Sequence, residues 1–316
     1  MNAEGAAWLP PLVCMYIVWR NDMREIIKYW NKPKRSAYLF LAPSIILLVL
    51  FSVIPLLVAF GLSLFDVPIT MNTAKFIGLQ NFVAAFHDSR FLNSLKVTVI
   101  FTGIEVPVQV FGAIVVAAFI TKNNMRNKLF RAIYFLPVIC SATAIGIMWK
   151  MILHSNIGFI TAVLQSMGFG KINFLNTPGL TIFVVSFISI WRSFGISAII
   201  YVTAIQQVSR SLYEAAEMDG AGKIRQFFHI TVPSIRPTFW YILMTRFAGA
   251  LQIFDIIYIT TNGGPNYTTE STVTYIYSRA FSSGSSMGYA SAMSVILFVI
   301  IMVITVLMYR KMNEED

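Results

Sequence analysis

Long apolar stretches alternate with short polar ones along most of this chain. A helix that crosses a membrane needs about 20 consecutive apolar residues. Six stretches reach that length or come close to it, and each holds at most two charged residues. They are Ala37–Phe65, Val97–Ile120, Ala132–Trp149, Leu180–Ile205, Pro237–Thr261 and Met287–Tyr309. The pattern predicts an all-α, polytopic membrane protein with six spanning helices.

These stretches divide the chain into an N-terminal extension at 1–36, a membrane domain at 37–309 and a tail at 310–316. Within the extension, Trp8–Trp19 is apolar but too short to span a membrane. It lacks the basic leader and small-residue cleavage site of a signal peptide. Three interpretations stay open: an interfacial helix anchored by aromatic residues, a poorly ordered extension, or translation that starts at Met23.

Composition and charge agree with a membrane protein. The chain is 57% hydrophobic and 12% charged, with a mean hydropathy of +0.69, which excludes an ordinary soluble domain. If the N-terminus lies inside, 16 of the 24 Lys and Arg residues fall in cytoplasmic segments and five in external loops. This bias predicts that both termini are cytoplasmic. The net charge of +10 therefore reflects topology, and no nucleic-acid partner is expected.

A polar insert at about residues 210–236 separates the fourth and fifth apolar stretches. Ser211 followed by Glu214 has the spacing of a capping box, which predicts a helix start at Ser211. Asp219-Gly220 predicts the end of that helix, with Gly220 as a left-handed cap. The charge bias places the insert in the cytoplasm.

A second short helix is predicted from about Ala221 to Ile230, with Pro233 ending it. Ala215 and Ala216 in the first helix are small and let another surface approach closely. Two short helices at an angle form a knob suited to a groove on another protein. The alternative is an ordinary amphipathic surface loop.

The insert resembles the EAA loop of membrane-spanning subunits of binding-protein-dependent ABC importers. That pattern reads Glu-Ala-Ala, three residues, Gly, nine residues, then Ile-x-Leu-Pro. Glu214, Gly220, Ile230 and Pro233 fall at the expected spacing, and Val232 replaces the usual Leu. The resemblance implies that an ATPase subunit contacts Glu214, Ala215, Ala216, Asp219, Gly220, Ala221, Ile230 and Pro233.

Three further stretches are similar to carbohydrate-importer permeases of the maltose, lactose and glycerol-phosphate type. They are Phe91–Leu95, Phe130–Pro137 and Phe254–Pro265, and the resemblance covers roughly Ser36 to Tyr309. It implies a six-helix type I permease core in a bacterial inner membrane. Its implied partners are a second, different permease subunit, two ATPase subunits, an external sugar-binding protein and membrane lipid. Unlike maltose-type relatives, this chain has no large insertion in its first external loop.

Polar residues inside the apolar stretches are costly and suggest a function. Arg246 and Asp255 are nine residues apart, so a continuous helix places them on opposite faces. We expect one to face a path and the other a helix partner. Gln252, Asp255 and Tyr258 would then form a polar and aromatic stripe that contacts a sugar. The alternative is that Asp255 pairs with Arg192 or caps backbone freed near the following turn.

Glu105 and Gln109 are spaced four residues apart around Pro107 in the second stretch. They either line a cavity or form hydrogen bonds across helices, and we favour the second interpretation. Arg192 in the fourth stretch is expected to be a counter-ion or an interface anchor.

Gly263, Gly264 and Pro265 predict a turn after the fifth stretch. The resemblance places this turn outside, as a gate or docking site for the binding protein. The alternative is a plain loop that reverses the chain.

The remaining residues give little support for catalysis. The sequence has no Gly-x-x-x-x-Gly-Lys-Ser/Thr nucleotide loop, so ATP hydrolysis by that route is excluded for this chain. Cys14 and Cys140 are interpreted as small buried hydrophobic residues, and no cofactor or metal site is expected. The predicted function is the permease subunit of an ATP-driven sugar importer that works by alternating access. The alternatives are a permease for another small solute such as glycerol-phosphate, an uncoupled channel-like protein, or a membrane-embedded enzyme.

Overall fold

The structure is a computed structural model that describes residues 33–68, 73–282 and 286–314. The interpretations of Trp8–Trp19 and Met23 lie outside the described residues. The chain divides into two compact units, Met1–Val58 and Ala59–Asp316. Most of the first described helix lies in the first unit. It consists of Pro33–Leu48, a π-helical segment Val49–Val53, and Ile54–Leu62.

Five described helices are long and apolar enough to cross a membrane. In chain order they are the first span (Phe40–Leu62), the second (Ser89–Ile120), the fourth (Leu180–Gln207), the fifth (Arg236–Thr260) and the sixth (Met287–Asn313). Between the second and fourth lies a pair of helices, Met125–Ile139 and Ala142–Ile152, bent by 99°. The all-α polytopic prediction is confirmed. The predicted stretch Ala132–Trp149 is broken at Cys140 rather than one continuous helix, and the bent pair counts as a sixth span if its two helices cross together.

The bend has a local cause near Cys140. Pro137 lies in the last turn of the first helix of the pair, and Cys140 is in extended conformation. The Ser141 hydroxyl then accepts a hydrogen bond from the Ala144 amide at 3.1 Å, and this N-cap starts a new helix. Cys140 is exposed at this bend, so its interpretation as a buried residue was wrong.

Short elements connect the spans, and several spans contain breaks. The second span consists of Ser89–Pro107, the π-helical segment Val108–Gly112, and Ala113–Ile120. The fifth span consists of Arg236–Leu251 and Asp255–Thr260. The last helix is Met287–Glu314. The connecting helices are Gln80–His87, Phe159–Ser166, Arg210–Met218, Lys223–Gln226, Val232–Ser234 and Thr272–Phe281. One antiparallel pair of two-residue strands, Phe65–Asp66 and Lys75–Phe76, lies in the loop before the second span.

The fourth span is the centre of the second unit. It packs against the second span, both helices of the bent pair and the fifth span. Ile188 and Tyr201 on this span are fully buried. At Gly195 a Cβ atom would lie 2.1 Å from the carbonyl oxygen of Tyr134, so only glycine allows the two helices to approach this closely.

We expect Gly195→Ala to destabilise the protein by about 1–3 kcal/mol, because the added methyl group overlaps backbone that cannot rotate away. Gly103→Ala on the second span is the matched control, since no atom lies within 4 Å of the place that its methyl group would occupy. The measurement is the thermal unfolding midpoint of each variant in detergent. Equal midpoints for the two variants would contradict the close packing at Gly195.

Candidate functional site

The predicted first helix of the polar insert is present as Arg210–Met218. Its start differs from the prediction, because Ser209 rather than Ser211 is the N-cap. The Ser211 hydroxyl instead bonds the Ser209 hydroxyl at 2.7 Å. Glu214 does not complete a capping box, since its carboxylate pairs with Arg210 Nε at 2.9 Å, one turn earlier on the helix.

The end of this helix follows the prediction. Asp219 is the C-cap and Gly220 adopts a left-handed backbone with φ of +76°. The Gly220 amide donates to the Glu217 carbonyl at 3.0 Å, and the Ala221 amide donates to the Ala216 carbonyl at 2.8 Å. These bonds satisfy carbonyls that the helix end leaves free.

The second helix of the insert begins and ends later than predicted. It consists of three joined segments, Lys223–Gln226, Phe227–Thr231 and Val232–Ser234. The predicted start at Ala221 and the predicted end at Ile230 were therefore wrong. Pro233 lies one residue before the end of the last segment at Ser234, close to the helix end that the sequence predicted for it.

Hydrogen bonds hold the two helices together as a unit. The hydroxyls of Tyr213 and Thr231 lie 2.8 Å apart. The Gln226 side chain donates to the Ala221 carbonyl at 2.9 Å. Ala215 in the first helix stays exposed. The result is a compact two-helix loop between the fourth and fifth spans, here called the coupling loop (residues 210–234).

The coupling loop exposes large apolar side chains outside the spans. Met218 is 89% exposed and Ile224 is 77% exposed, and Leu212 and Phe228 are also exposed. Ile224 and Phe228 line a shallow concavity together with Lys223, Arg225 and His229. Exposed apolar groups rimmed by polar ones are typical of a protein-binding surface. The sequence analysis did not identify these four residues as a surface. Their apolar side chains in an otherwise polar insert were the available signal.

Gln252, Asp255 and Tyr258 do not lie on one continuous helix. The helix Arg236–Leu251 ends before Gln252, and a new helix begins at Asp255. The projection that separated Arg246 from Asp255 by half a turn therefore does not apply. All three residues are exposed in the isolated chain. Asp255 and Arg192 form no ion pair, so the alternative that these two residues pair is not supported. Asp255 lies at the start of a helix, where an acidic side chain is favourable.

Four aromatic rings form a cluster beside Asp255. Phe254 stacks on Tyr258 with centroids 5.1 Å apart. Tyr277 lies 5.1 Å from Phe254 and 5.2 Å from Tyr258, and Phe281 lies 5.0 Å from Tyr277. The role of Tyr277 and Phe281 was missed, because they come from the next helix, Thr272–Phe281. The helix break brings them to the end of the fifth span.

A polar network joins the second and fourth spans at their buried faces. Glu105, 7% exposed, accepts from the Ser189 hydroxyl at 3.2 Å and from Gln109 Nε2 at 3.5 Å. Gln109 also bonds the Ser193 hydroxyl and accepts from the Ser197 hydroxyl at 3.4 Å. The preferred interpretation, hydrogen bonding across helices, is confirmed.

Two arginines lie next to this network. Arg192 and Arg246 are each partly exposed and each interacts electrostatically with Glu105. Among the described residues, neither has a carboxylate oxygen within 4.0 Å. Arg192 Nε and Glu105 Oε2 are both buried, and neither has a hydrogen-bond partner among the described residues. The two expected roles of Arg192, counter-ion and interface anchor, both stay predictions.

The turn predicted at Gly263-Gly264-Pro265 is present after the fifth span. Gly263 has φ of +85°, and a Cβ there would lie 3.0 Å from the Cβ of Glu270. The Thr269 hydroxyl donates to the Gly264 carbonyl at 2.6 Å. Glycine at 263 is therefore required both by the backbone angle and by close packing.

An ion pair anchors this turn to the start of the second span. Arg90 donates to both carboxylate oxygens of buried Glu270 at 2.7 Å. The Arg90 guanidinium also lies 3.7 Å from the centre of the Tyr267 ring. Asn93 Nδ2 donates to the Tyr267 carbonyl at 3.0 Å. The sequence analysis missed Arg90, because its partner is 180 residues away.

Asp88 ties the same end of the molecule together. Its carboxylate caps the second span through the Arg90 amide at 2.9 Å and accepts the hydroxyls of Tyr275 and Tyr289. Burial acts to raise the pKa of Asp88, but these hydrogen bonds outweigh it and lower the pKa below its usual value. Burial and the bond to Asp88 raise the pKa of Tyr275 to about 12, so this phenol remains a donor at neutral pH.

Comparison with known proteins gives the family of the chain. Residues 81–313 match the model of the binding-protein-dependent transport system inner membrane component family. The probable ABC transporter permease protein YurN of Bacillus subtilis is 36% identical, covering 90% of this chain and 99% of YurN. The sulfoquinovosyl glycerol transport system permease protein SmoG of Agrobacterium fabrum is 34% identical, over 89% and 91% of the two chains. The sn-glycerol-3-phosphate transport system permease protein UgpA of Escherichia coli O157:H7 is 31% identical, over 88% and 94%.

Solved structures share the fold. A chain of a bacterial ABC transporter that imports the acidic polysaccharide alginate superposes with a TM-score of 0.79 at 23% identity, covering 93% of this chain and 99% of that one. A chain of the alginate transporter in complex with a periplasmic protein that carries an alginate pentasaccharide gives 0.76 at 25% identity, covering 88% and 95%.

Proposed function

The chain belongs to the binding-protein-dependent transport system inner membrane components, and we propose that it is the permease subunit of an ATP-driven importer of a sugar or oligosaccharide. The observation that carries this proposal is the coupling loop, a two-helix unit with exposed apolar side chains between two spans. The family is a transport component, which argues against the membrane-enzyme alternative. A loop of this kind argues against an uncoupled channel.

The relatives support a sugar or sugar-like solute. SmoG is named for sulfoquinovosyl glycerol and UgpA for sn-glycerol-3-phosphate. The structural relatives belong to an importer of an acidic polysaccharide. A phosphorylated glycerol is the second candidate for this chain, because UgpA is 31% identical over 88% of it.

The proposed partners follow from the family and from the coupling loop. They are two ATPase subunits, a second permease subunit and an external solute-binding protein. Ile224 and Phe228 line an apolar concavity that fits a protruding surface of a partner. Arg225 lines the same concavity and gives it a positive charge. ATP hydrolysis is placed on the separate subunits, because this chain has no nucleotide loop.

The proposed mechanism is alternating access. ATP binding closes the two ATPase subunits, and the coupling loops move with them. The two permease subunits then turn the path from inward-facing to outward-facing, and the binding protein releases its solute. The turn at Gly263-Gly264-Pro265, held by Arg90 and Glu270, serves as a rigid external gate or docking site.

The path passes the end of the fifth span in this proposal. Gln252, Asp255 and Tyr258 are exposed there, and Phe254 and Tyr277 extend the aromatic surface. Aromatic faces contact the C–H groups of a sugar, and amides and carboxylates bind its hydroxyls. The break between the two helices of the span, rather than a continuous stripe, brings these groups together.

Gly220→Asp and Glu214→Lys are expected to lower solute uptake about tenfold or more while the protein stays in the membrane. The first forces a side chain into a left-handed backbone, and the second breaks the Arg210 pair and reverses a charge on the proposed docking surface. The measurement is ATPase co-purification and uptake at equal permease levels.

Gly168→Asp is the matched control for the coupling loop. Gly168 also has positive φ, +88°, and open space around its Cβ position, but it lies in the loop before the fourth span. The control should keep uptake near the parental level. Full uptake by both coupling-loop variants would refute the assigned role.

The orientation proposed from the basic residues puts both termini and the coupling loop in the cytoplasm. In a chain lacking Cys14 and Cys140, Thr73→Cys and Ser282→Cys should react with a membrane-impermeant thiol reagent in intact cells. Lys223→Cys should react only after the cells are permeabilised. Reaction of Lys223→Cys in intact cells would reverse the proposed orientation.

Gln252→Ala, Asp255→Asn and Tyr258→Phe are expected to weaken apparent solute affinity a few-fold each. One lost hydrogen bond costs about 1 kcal/mol, which gives a change of that size. Uptake and membrane abundance are measured together, with Tyr309→Phe on the sixth span as an exposed tyrosine control. Variants that transport like the parent, or fail only by losing abundance, would show that the three residues serve helix packing.

A further inference from the structure

The middle of the membrane region holds an imbalance of charge. Two guanidinium groups, those of Arg192 and Arg246, lie near the single buried carboxyl group of Glu105. Ionisable groups at this depth are costly and normally face a partner or a path. Within the described residues no carboxylate oxygen, including those of Glu105, lies within 4.0 Å of either arginine. Both guanidinium groups are therefore without an ion-pair partner in that part of the chain.

Arg246 lies at the edge of a polar face rather than a lipid-facing one. Tyr241, Thr245, Gly249 and Gln252 are all exposed and recur every three or four residues, so they share one face of the helix Arg236–Leu251 as it reaches its C-cap. Tyr241 is 54% exposed and interacts electrostatically with Arg246.

The second span shows what a lipid-compatible face looks like in this protein. Its exposed side chains include Val99, Phe111 and Val115, all apolar. On the polar face of the fifth span, the Thr245 hydroxyl donates to the Tyr241 carbonyl and Gln252 Nε2 donates to the Ala248 carbonyl. The Tyr241 hydroxyl and Gln252 Oε1 have no hydrogen-bond partner among the described residues, and hydrocarbon offers none. This face is suited to a solute path that the second permease subunit would enclose.

We propose that Arg246, with Arg192 beside the same carboxylate, binds the anionic group of the transported solute, so that the solute is an acidic sugar or sugar ester. This inference rests on the proposed importer function and adds the class of its substrate. A guanidinium binds carboxylate or phosphate through two parallel hydrogen bonds, which a neutral sugar hydroxyl does not reproduce. Tyr241, Thr245 and Gln252 then contact the neutral hydroxyls of the same solute.

Glu105 has a defined role in this arrangement. Its carboxyl group, hydrogen-bonded to Ser189 and Gln109, lies near the two arginines and competes with the anionic group of the solute. Asp255 does not compete in the same way, because it lies in the next helix, beyond the break that follows Leu251. The acid at Asp255 and the arginine at Arg246 therefore contact different parts of the path.

The test uses the assembled transporter in lipid nanodiscs and two pairs of defined probes. Trigalacturonate is compared with maltotriose for a carboxylate, and sn-glycerol-3-phosphate with glycerol for a phosphate. Binding is measured by titration calorimetry. At least one acidic probe should bind about tenfold or more tightly than its neutral counterpart, and which pair differs identifies the anionic group.

Variants separate binding from folding. Arg246→Gln should remove the preference for the acidic probe, Arg246→Lys should keep part of it, and Arg126→Gln, at an exposed arginine elsewhere, should not change it. Glu105→Gln should tighten acidic-probe binding, because the competing charge is removed while the hydrogen bonds to Ser189 and Gln109 can be kept. A purely structural network would instead weaken binding in both Arg246→Gln and Glu105→Gln.

The outcomes decide between the two proposals. Equal binding of acidic and neutral probes, absence of binding, or an unchanged preference in Arg246→Gln would overturn the acidic-solute inference. Stimulation of ATPase activity by the binding protein in the parental complex tests the importer function independently. Its absence would contradict the importer, whereas its presence with a neutral preference would contradict only the solute class.

Discussion

The constraint on which this structure depends is that hydrocarbon supplies no hydrogen-bond partners. Each interruption of a spanning helix must therefore be satisfied by the protein itself. At the break in the fifth span, the Ser271 hydroxyl donates to the freed carbonyl of Ile253 at 2.7 Å, and Gln252 donates back to the Ala248 carbonyl at 3.0 Å. At the bend in the helix pair between the second and fourth spans, Ser141 caps the helix Ala142–Ile152. At both places the irregular backbone has a side-chain partner from this chain.

The two ends of the membrane domain differ in the kind of contacts that hold them. At the end with the Gly263 turn, Asp88, Arg90 and Glu270 are joined by ion pairs and hydrogen bonds that also include phenol groups. The coupling loop at the other end is held mainly by local bonds and exposes Met218 and Ile224. The first end is held by contacts between distant parts of the chain, whereas the second exposes the apolar surface that we propose a partner covers.

Sequence alone predicted the features that have a local or periodic signal. The spans followed from apolar length, and the left-handed Gly220 from its place after a short helix. The two helix breaks were not predicted, because apolar length alone defined the stretches. Pro137 and Ser141 are a local signal for the first break, whereas the second has no proline or glycine at Gln252–Phe254. The N-cap was misplaced by two residues, because Ser209 and Ser211 are both serines near the helix start and residue type alone does not distinguish them. Arg90 was missed because its partner is remote, and Tyr277 because a separate helix supplies it.

The helix Arg236–Leu251 connects the two regions of interest directly, since it begins beside the coupling loop and ends at the break before Asp255. Its 16 residues span about 24 Å, and its proline lies in the first turn. In the proposed mechanism, a tilt of about 10° imposed at the loop end would carry the Gln252 end by about 4 Å. A small rotation at the loop would then shift the exposed polar groups at the break by more than the length of one hydrogen bond.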